Sequence, residues 1–227
     1  MNIKICVSVP PKTVTEALSL IEKAEDQHAD FIEVRLDNLE KYTQLADIAH
    51  CSKTPLIATN RSAKCQGKFL GGEAEREKIL TDAARDGFEY VDIELASSKL
   101  KSITSNLREI GVKPIVSFHD FNETPISSQL NKILDKEIVS GADVCKIVTT
   151  ARFVEDNLTV LDFVSKVSKN ARMVCFAMGE LGKPSRLLSP VFGSFFTIAS
   201  LESERKTAQG QLTIQEMRSA YEALGLK

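Results

Sequence analysis

The sequence predicts a parallel (β/α)8 TIM barrel, and three observations carry that prediction. Eight short, apolar, β-branched runs recur along the 227 residues, amphipathic segments separate them, and charged residues gather at the C-terminal ends of the runs. Alternating strand and helix implies parallel strands with right-handed crossovers. A chain of 227 residues also suits one α/β barrel, which spans about 200–250 residues. With no composition shift or linker to cut at, residues 1–227 read as a single domain. A doubly wound open sheet would ordinarily carry a glycine-rich phosphate turn after its first strand, where this chain has Pro10-Pro11.

The runs are IKICVSV, FIEVRL, PLIAT, YVDIEL, PIVSF, DVCKIV, MVCFAM and SFFTIA. Their length and β-branched content suit buried strands. Helical periodicity appears over 13–27, 72–85, 125–140, 154–169 and 214–224. The seventh connection, 185–192, has the weakest helical pattern.

Composition excludes several function classes. The 29 basic and 31 acidic residues leave a formal charge of -2 with no like-charge block, so no nucleic-acid or membrane footprint is expected. The N-terminal MNIKICVSVP lacks a signal peptide's apolar region and cleavage site, and no apolar run approaches the ~20 residues of a membrane span. A cytoplasmic protein is expected. The five cysteines, Cys6, Cys51, Cys65, Cys145 and Cys175, are odd in number and form no C-x-x-C pair, which predicts free thiols and no zinc.

A barrel builds its active site at the C-terminal ends of its strands. There the chain places Glu33, Arg35 and Asp37, then Thr59 and Arg61, Asp92 and Glu94, His119 and Asp120, Lys146, and Met178. Successive strand side chains alternate between faces, so in FIEVRLD the apolar Ile32, Val34 and Leu36 should meet the helices. Glu33, Arg35 and Asp37 should then point into the barrel mouth. Lys146 shares its phase with Val144 and Val148 in a strand covered on both faces. Desolvation there should lower its pKa and leave a neutral amine able to form an iminium with a ketone. His28 and His50 fall in polar helical or post-helical positions, whereas His119 closes PIVSFHDF at a strand end beside Lys146. Its near-neutral intrinsic pKa suits proton abstraction next to a carbonyl and return of that proton to a leaving hydroxyl. These residues together point to iminium chemistry on a small anionic ketone, and leave carbon–carbon cleavage and elimination of water both open.

Glu33-Val-Arg35-Leu-Asp37, Thr59-Asn-Arg61, Asp92-Ile-Glu94, Ser117-Phe-His119-Asp-Phe121, Gly141-Ala-Asp-Val-Cys-Lys146, Met178 with Ser185-Arg186, Val191-Phe-Gly-Ser194 and Ala208-Gln-Gly-Gln211 follow one another in order. In this succession the sequence resembles the type I 3-dehydroquinate dehydratase family of the shikimate pathway over nearly its whole length. The resemblance implies that Lys146 forms a Schiff base with the C3 ketone of 3-dehydroquinate. It further implies that His119 removes the C2 proton and protonates the departing C1 hydroxyl, with Asp92 orienting and tuning His119. Arg186 and Gln211 would hold the substrate carboxylate, a task that suits arginine's planar fork. Glu33, Arg35 and Arg61 would bind ring hydroxyls, Ser8 and Thr207 would add hydrogen bonds, and Met178 would pack against the ring.

The segment 201–211 looks like a loop that closes over substrate and excludes water. The family resemblance implies a homodimer and no metal or organic cofactor. Two positions depart from the family pattern: Cys65 stands where a glutamate is familiar, a role Glu73 could take over, and Gln209 stands where proline is. The competing readings are a Schiff-base aldolase on the same fold, for whose phosphate cradle Gly179-Glu-Leu-Gly182 could be mistaken although Arg186 and Gln211 favour a carboxylate, and a non-catalytic barrel that binds a small carboxylate.

Overall fold

The computed structural model describes residues 3–226. Eight parallel strands, β1 (Ile5–Val9), β2 (Phe31–Arg35), β3 (Leu56–Thr59), β4 (Tyr90–Glu94), β5 (Lys113–His119), β6 (Val144–Thr150), β7 (Met173–Met178) and β8 (Thr197–Ser200), correspond to the eight runs. They pair in the order β7-β6-β5-β4-β3-β2-β1-β8. β8 then returns beside β7, where the Phe195 amide donates to the Met173 carbonyl at 2.7 Å. The sheet is thus a nearly closed (β/α)8 barrel, as expected.

The helices are α1 (Val14–Asp26), α2 (Leu45–Ala49), α3 (Glu73–Arg85), α4 (Leu100–Glu109), α5 (Ser127–Val139), α6 (Asp156–Val167), α7 (Lys183–Leu188) and α8 (Ile214–Ala223). Local chemistry sets their ends. The Thr13 hydroxyl accepts from the Glu16 amide and caps α1, and Thr213 with Glu216 forms a complete capping box on α8, each cap contributing about 1 kcal/mol. The weakly patterned 185–192 segment divides between the last turns of α7 and a 3-10 turn, Ser189–Phe192. Gly193, at φ 108°, stops that turn in a left-handed conformation that glycine adopts without strain.

Strand alternation produces two apolar layers. Outward-facing Val7, Ile32, Val34, Ala58, Val91 and Val116 join Ala17, Leu20, Ile21 and Ala24 of α1 in the larger core. Burial of each large side chain there stabilises the fold by roughly 1.5–3 kcal/mol. Inward-facing Cys6, Ile57, Tyr90, Ile115, Val144 and Val174 fill the lower barrel. Phe31 packs edge-on to Tyr90 at 5.7 Å and against Phe195 and Phe196 at 5.3 and 5.1 Å, which plugs the N-terminal end. Water therefore has access to the barrel interior chiefly from the C-terminal mouth. Among the described residues no helix is long and apolar enough to cross a membrane, and all five cysteines are free, with Cys6, Cys145 and Cys175 buried.

Candidate active site

The mouth holds a cavity of about 230 Å³ lined by Glu33, Arg35, Arg61, His119, Lys146, Met178, Arg186, Thr207 and Gln211, all expected at the site. The other two expected residues, Ser8 and Asp92, are fully covered beneath it and bonded to its floor. Inward phase explains the convergence. Ser8 with Glu33, Thr59 with Asp92, and Ser117 with Lys146 are register partners on neighbouring strands, each pair two residues further along its strands than the pair before it, directly above the apolar layer.

Lys146 is 4% exposed. Its Nζ donates to Asp92 Oδ2 at 2.8 Å and to Glu33 Oε1 at 3.1 Å. Glu33 also accepts from Ser8 Oγ at 2.6 Å and Thr59 Oγ1 at 2.9 Å. Asp92 Oδ1 accepts from Arg61 Nη2 at 2.8 Å and Ser117 Oγ at 2.7 Å. Each carboxylate thus accepts three hydrogen bonds, which is what permits ions at this depth.

This pairing corrects one expectation. Burial does pull the Lys146 pKa down, but Asp92 and Glu33 outweigh burial and the repulsion of Arg61, so the pKa lies above that of ordinary lysine. The resting side chain is an ammonium, not the neutral amine that desolvation alone would leave. Burial tends to raise the Glu33 pKa, yet Lys146 and Arg35 hold it at about 2. Asp92 is depressed further, against burial, by Arg61 and Lys146.

His119 stands two residues beyond the Lys146 level on the neighbouring strand, opposite Val148. It is half-buried and stacked on Phe121 at 5.8 Å. Burial, reinforced by Arg61 and Lys146, lowers its pKa well below the ordinary histidine value, with Asp92 opposing. Its buried Nδ1 has no hydrogen-bond partner. A second expectation is corrected here: Asp92 does not orient His119 by a hydrogen bond, because its oxygens are engaged by Arg61, Ser117 and Lys146. Its influence on the imidazole is electrostatic only.

Arg186 lies across the cavity, 1% exposed, with its guanidinium carbon 4.2 Å from the Phe176 ring centroid. Nη1 donates to the Ile198 carbonyl at 3.3 Å, while Nε and Nη2 have no partner. Burial without a nearby carboxylate lowers its pKa to about 9. Gln211 Oε1 accepts from the Thr207 amide at 2.8 Å, which leaves its buried Nε2 unpartnered as well. Unsatisfied buried donors carry a desolvation cost, and an incoming carboxylate would relieve it on both side chains.

Three expected positions take other parts. Asp37 does not point into the mouth: β2 ends at Arg35, and a 3-10 turn, Leu36–Asn38, carries Asp37 aside. There it accepts from Arg35 Nε at 2.8 Å and Nη2 at 2.7 Å, and from the amides of Arg61 and Lys68. Asp120 caps its own turn through the amides of Asn122 and Glu123. Glu73 does not replace the carboxylate absent at 65, because it pairs with Arg76 on α3; Cys65 itself lines the cavity. Thr59 and Ser117 lie in the family motifs with no implied role, yet each ties a site carboxylate in place. Their inward phase and short hydroxyl side chains were the available signal.

The model of the type I 3-dehydroquinase family matches residues 5–227. The chain belongs to the type I 3-dehydroquinase family. Its relatives within it include the 3-dehydroquinate dehydratase of Dehalococcoides mccartyi, 36% identical over 201 residues and covering 88% of each chain. The 3-dehydroquinate dehydratase of Methanocaldococcus jannaschii is 33% identical over 225 residues, covering 98% of this chain and all of the relative. Among solved structures, the type I 3-dehydroquinate dehydratase of Clostridium difficile with covalently modified comenic acid superposes with a TM-score of 0.88 at 25% identity. That match covers 98% of this chain and 92% of the other.

Proposed function

We propose that this chain dehydrates 3-dehydroquinate to 3-dehydroshikimate in the shikimate pathway, through a Schiff base on Lys146 with His119 as general base and acid. Family membership supports the reaction. The observation that carries the mechanism is the barrel-interior lysine held between Asp92 and Glu33, below a buried arginine with no carboxylate partner.

Substrate enters with its carboxylate toward Arg186 Nε and Nη2 and Gln211 Nε2, and its ketone toward Lys146. The ammonium must give up a proton before it can attack, and His119, neutral at rest, is the base at hand. The amine adds to the ketone carbon, and the carbinolamine loses its oxygen as water with the proton borne by His119. The iminium formed is cationic, like the ammonium it replaces. Asp92 and Glu33 therefore stabilise it without rearrangement, as preorganised charges do most effectively in a dry site.

His119 then removes the C2 proton, and the electron pair flows into the iminium to give an enamine. Return of that pair forms the C1–C2 double bond as the C1 hydroxyl leaves, protonated by His119, as water. A further water hydrolyses the iminium and frees Lys146. Phe176, Ile198 and Met178 supply the apolar wall, and Arg35 and Arg61 present donors to the ring hydroxyls. The aldolase and binding-protein readings would each need this constellation without the dehydration.

Incubation of the protein with 3-dehydroquinate tests the activity directly. A rise in ultraviolet absorbance from the conjugated enone acid is expected. Properly folded protein with no such rise would contradict the proposal.

A further inference from the structure

The segment after β8 is anchored differently at its two ends. At its C-terminal end, Gly210 packs so closely that a Cβ would lie 2.1 Å from the Gly179 carbonyl oxygen. Gln209 accepts there from the Gly179 amide at 3.3 Å. Toward the N-terminal end, Leu201 is buried, but no side chain from 202 to 209 is. What holds that stretch is charge. Arg205 Nη1 meets Glu16 Oε1 at 2.6 Å, Arg205 Nε meets Glu202 Oε2 at 3.4 Å, and Glu202 Oε1 meets Lys23 Nζ at 3.3 Å. Glu16 and Lys23 lie seven residues apart on one face of α1, so the chain of alternating charges follows the helix. Two residues beyond Arg205, Thr207 reaches Ser8 Oγ at 3.1 Å and Gln211 Oε1 at 2.8 Å.

From this geometry we infer that Glu16 and Arg205 are positioning residues whose ion pair seats Thr207 and Gln211 over the substrate, making closure of the site sensitive to ionic strength. The inference rests on the proposed dehydration. Both side chains are roughly a third exposed, where ion pairs are weak individually and screened by salt. Such a pair shifts a closing equilibrium without locking it, which suits a loop that must reopen to release product.

The test uses Glu16→Gln, Arg205→Gln and the double variant. Glutamine at 16 keeps an oxygen for the Lys12 amide, which donates to Glu16 at 2.8 Å, and so removes the charge while retaining that contact. Each single variant should raise KM for 3-dehydroquinate roughly twofold to fivefold, the range of an exposed ion pair, with kcat within twofold of wild type. The double variant should be no worse than either single one, as expected when two residues act through one contact. Wild-type KM should rise more steeply with sodium chloride than that of Glu16→Gln. Tryptic cleavage after Lys206 should be faster in Glu16→Gln than in wild type, an arm that needs no turnover. An inactive wild type would count against the dehydration, and the cleavage rates would still decide the ion pair. Unchanged KM and unchanged cleavage, or additive single and double effects, would overturn the inference.

Discussion

Arg186 is buried at 1% exposure with two guanidinium nitrogens unpartnered, a cost that the carboxylate binding proposed for it would offset. Arg186→Met, which keeps an apolar body against Phe176, is expected to raise KM roughly tenfold to a hundredfold, from the ~1.5–3 kcal/mol of a charge-assisted hydrogen bond. The same variant should raise stability by about 1 kcal/mol, or roughly 2–4 °C in Tm. A lower Tm by calorimetry would contradict this reading of the site. His119 is neutral at rest because burial, Arg61 and Lys146 all oppose its protonation. The acidic limb of kcat/KM, which reports the free enzyme, should therefore lie below pH 6.5, the ordinary histidine value. Activity is then retained as pH falls through that value and is lost only as the imidazole protonates at lower pH. His119→Asn should reduce kcat by about 10²–10⁴, and an acidic limb at or above pH 6.5 would argue against the assignment. The identity and convergence of these residues were legible in the chain. The charge state of Lys146 was not, because it depends on Asp92 and Glu33 approaching within 3.1 Å across the barrel, and strand phase predicts a shared interior without predicting distances.

At the scale of elements, strand alternation was the most legible signal. The phase of β2 assigned Ile32 and Val34 to the helices and Glu33 to the interior, where each is found. Asp37 escaped that logic because alternation holds only while the strand continues. Helix α5 carries a feature that periodicity would misread. Leu130, Leu134 and Glu137 form its buried stripe, and Glu137 is fully buried with neither carboxyl oxygen partnered. It faces Cys145 and Cys175, and burial, with the charge of Asp92 adding to the effect, pushes its carboxyl well above the ordinary carboxylate range. A carboxyl whose folded pKa is raised binds its proton more tightly folded than unfolded. Its penalty is thus absent below the unfolded value near 4.5 and grows as pH rises from there toward the folded value. Glu137→Met should be more stable than wild type at pH 8 by about 1–3 kcal/mol, with the advantage shrinking toward pH 4. Equal urea midpoints at pH 8 would show that Glu137 has partners that restore its hydrogen bonds.

For the whole molecule, the eightfold alternation made the barrel legible, while the manner of closure was not. β7 and β8 meet through the Phe195 amide and the aromatic plug, a contact that no local pattern announces. The homodimer implied by the family resemblance would have to cover apolar surface. Phe153, Val154 and Leu158 are exposed at 66, 60 and 68% beside Leu181, which joins them through the bond from Asn157 to its carbonyl. Such a cluster is the kind of apolar surface that a dimer contact would cover. Leu158→Glu is expected to sediment as a monomer at micromolar concentration while wild type sediments as a dimer. A monomeric wild type would remove the dimer, and a dimeric variant would place the interface elsewhere.

In the proposed mechanism Lys146 becomes covalently bound to substrate. Borohydride reduction in the presence of 3-dehydroquinate, followed by peptide mass spectrometry, tests it most directly. A ligand-derived mass is expected on the peptide containing Lys146, absent without substrate and absent in Lys146→Ala. Folded, substrate-saturated protein that yields no adduct at Lys146 would contradict the iminium mechanism.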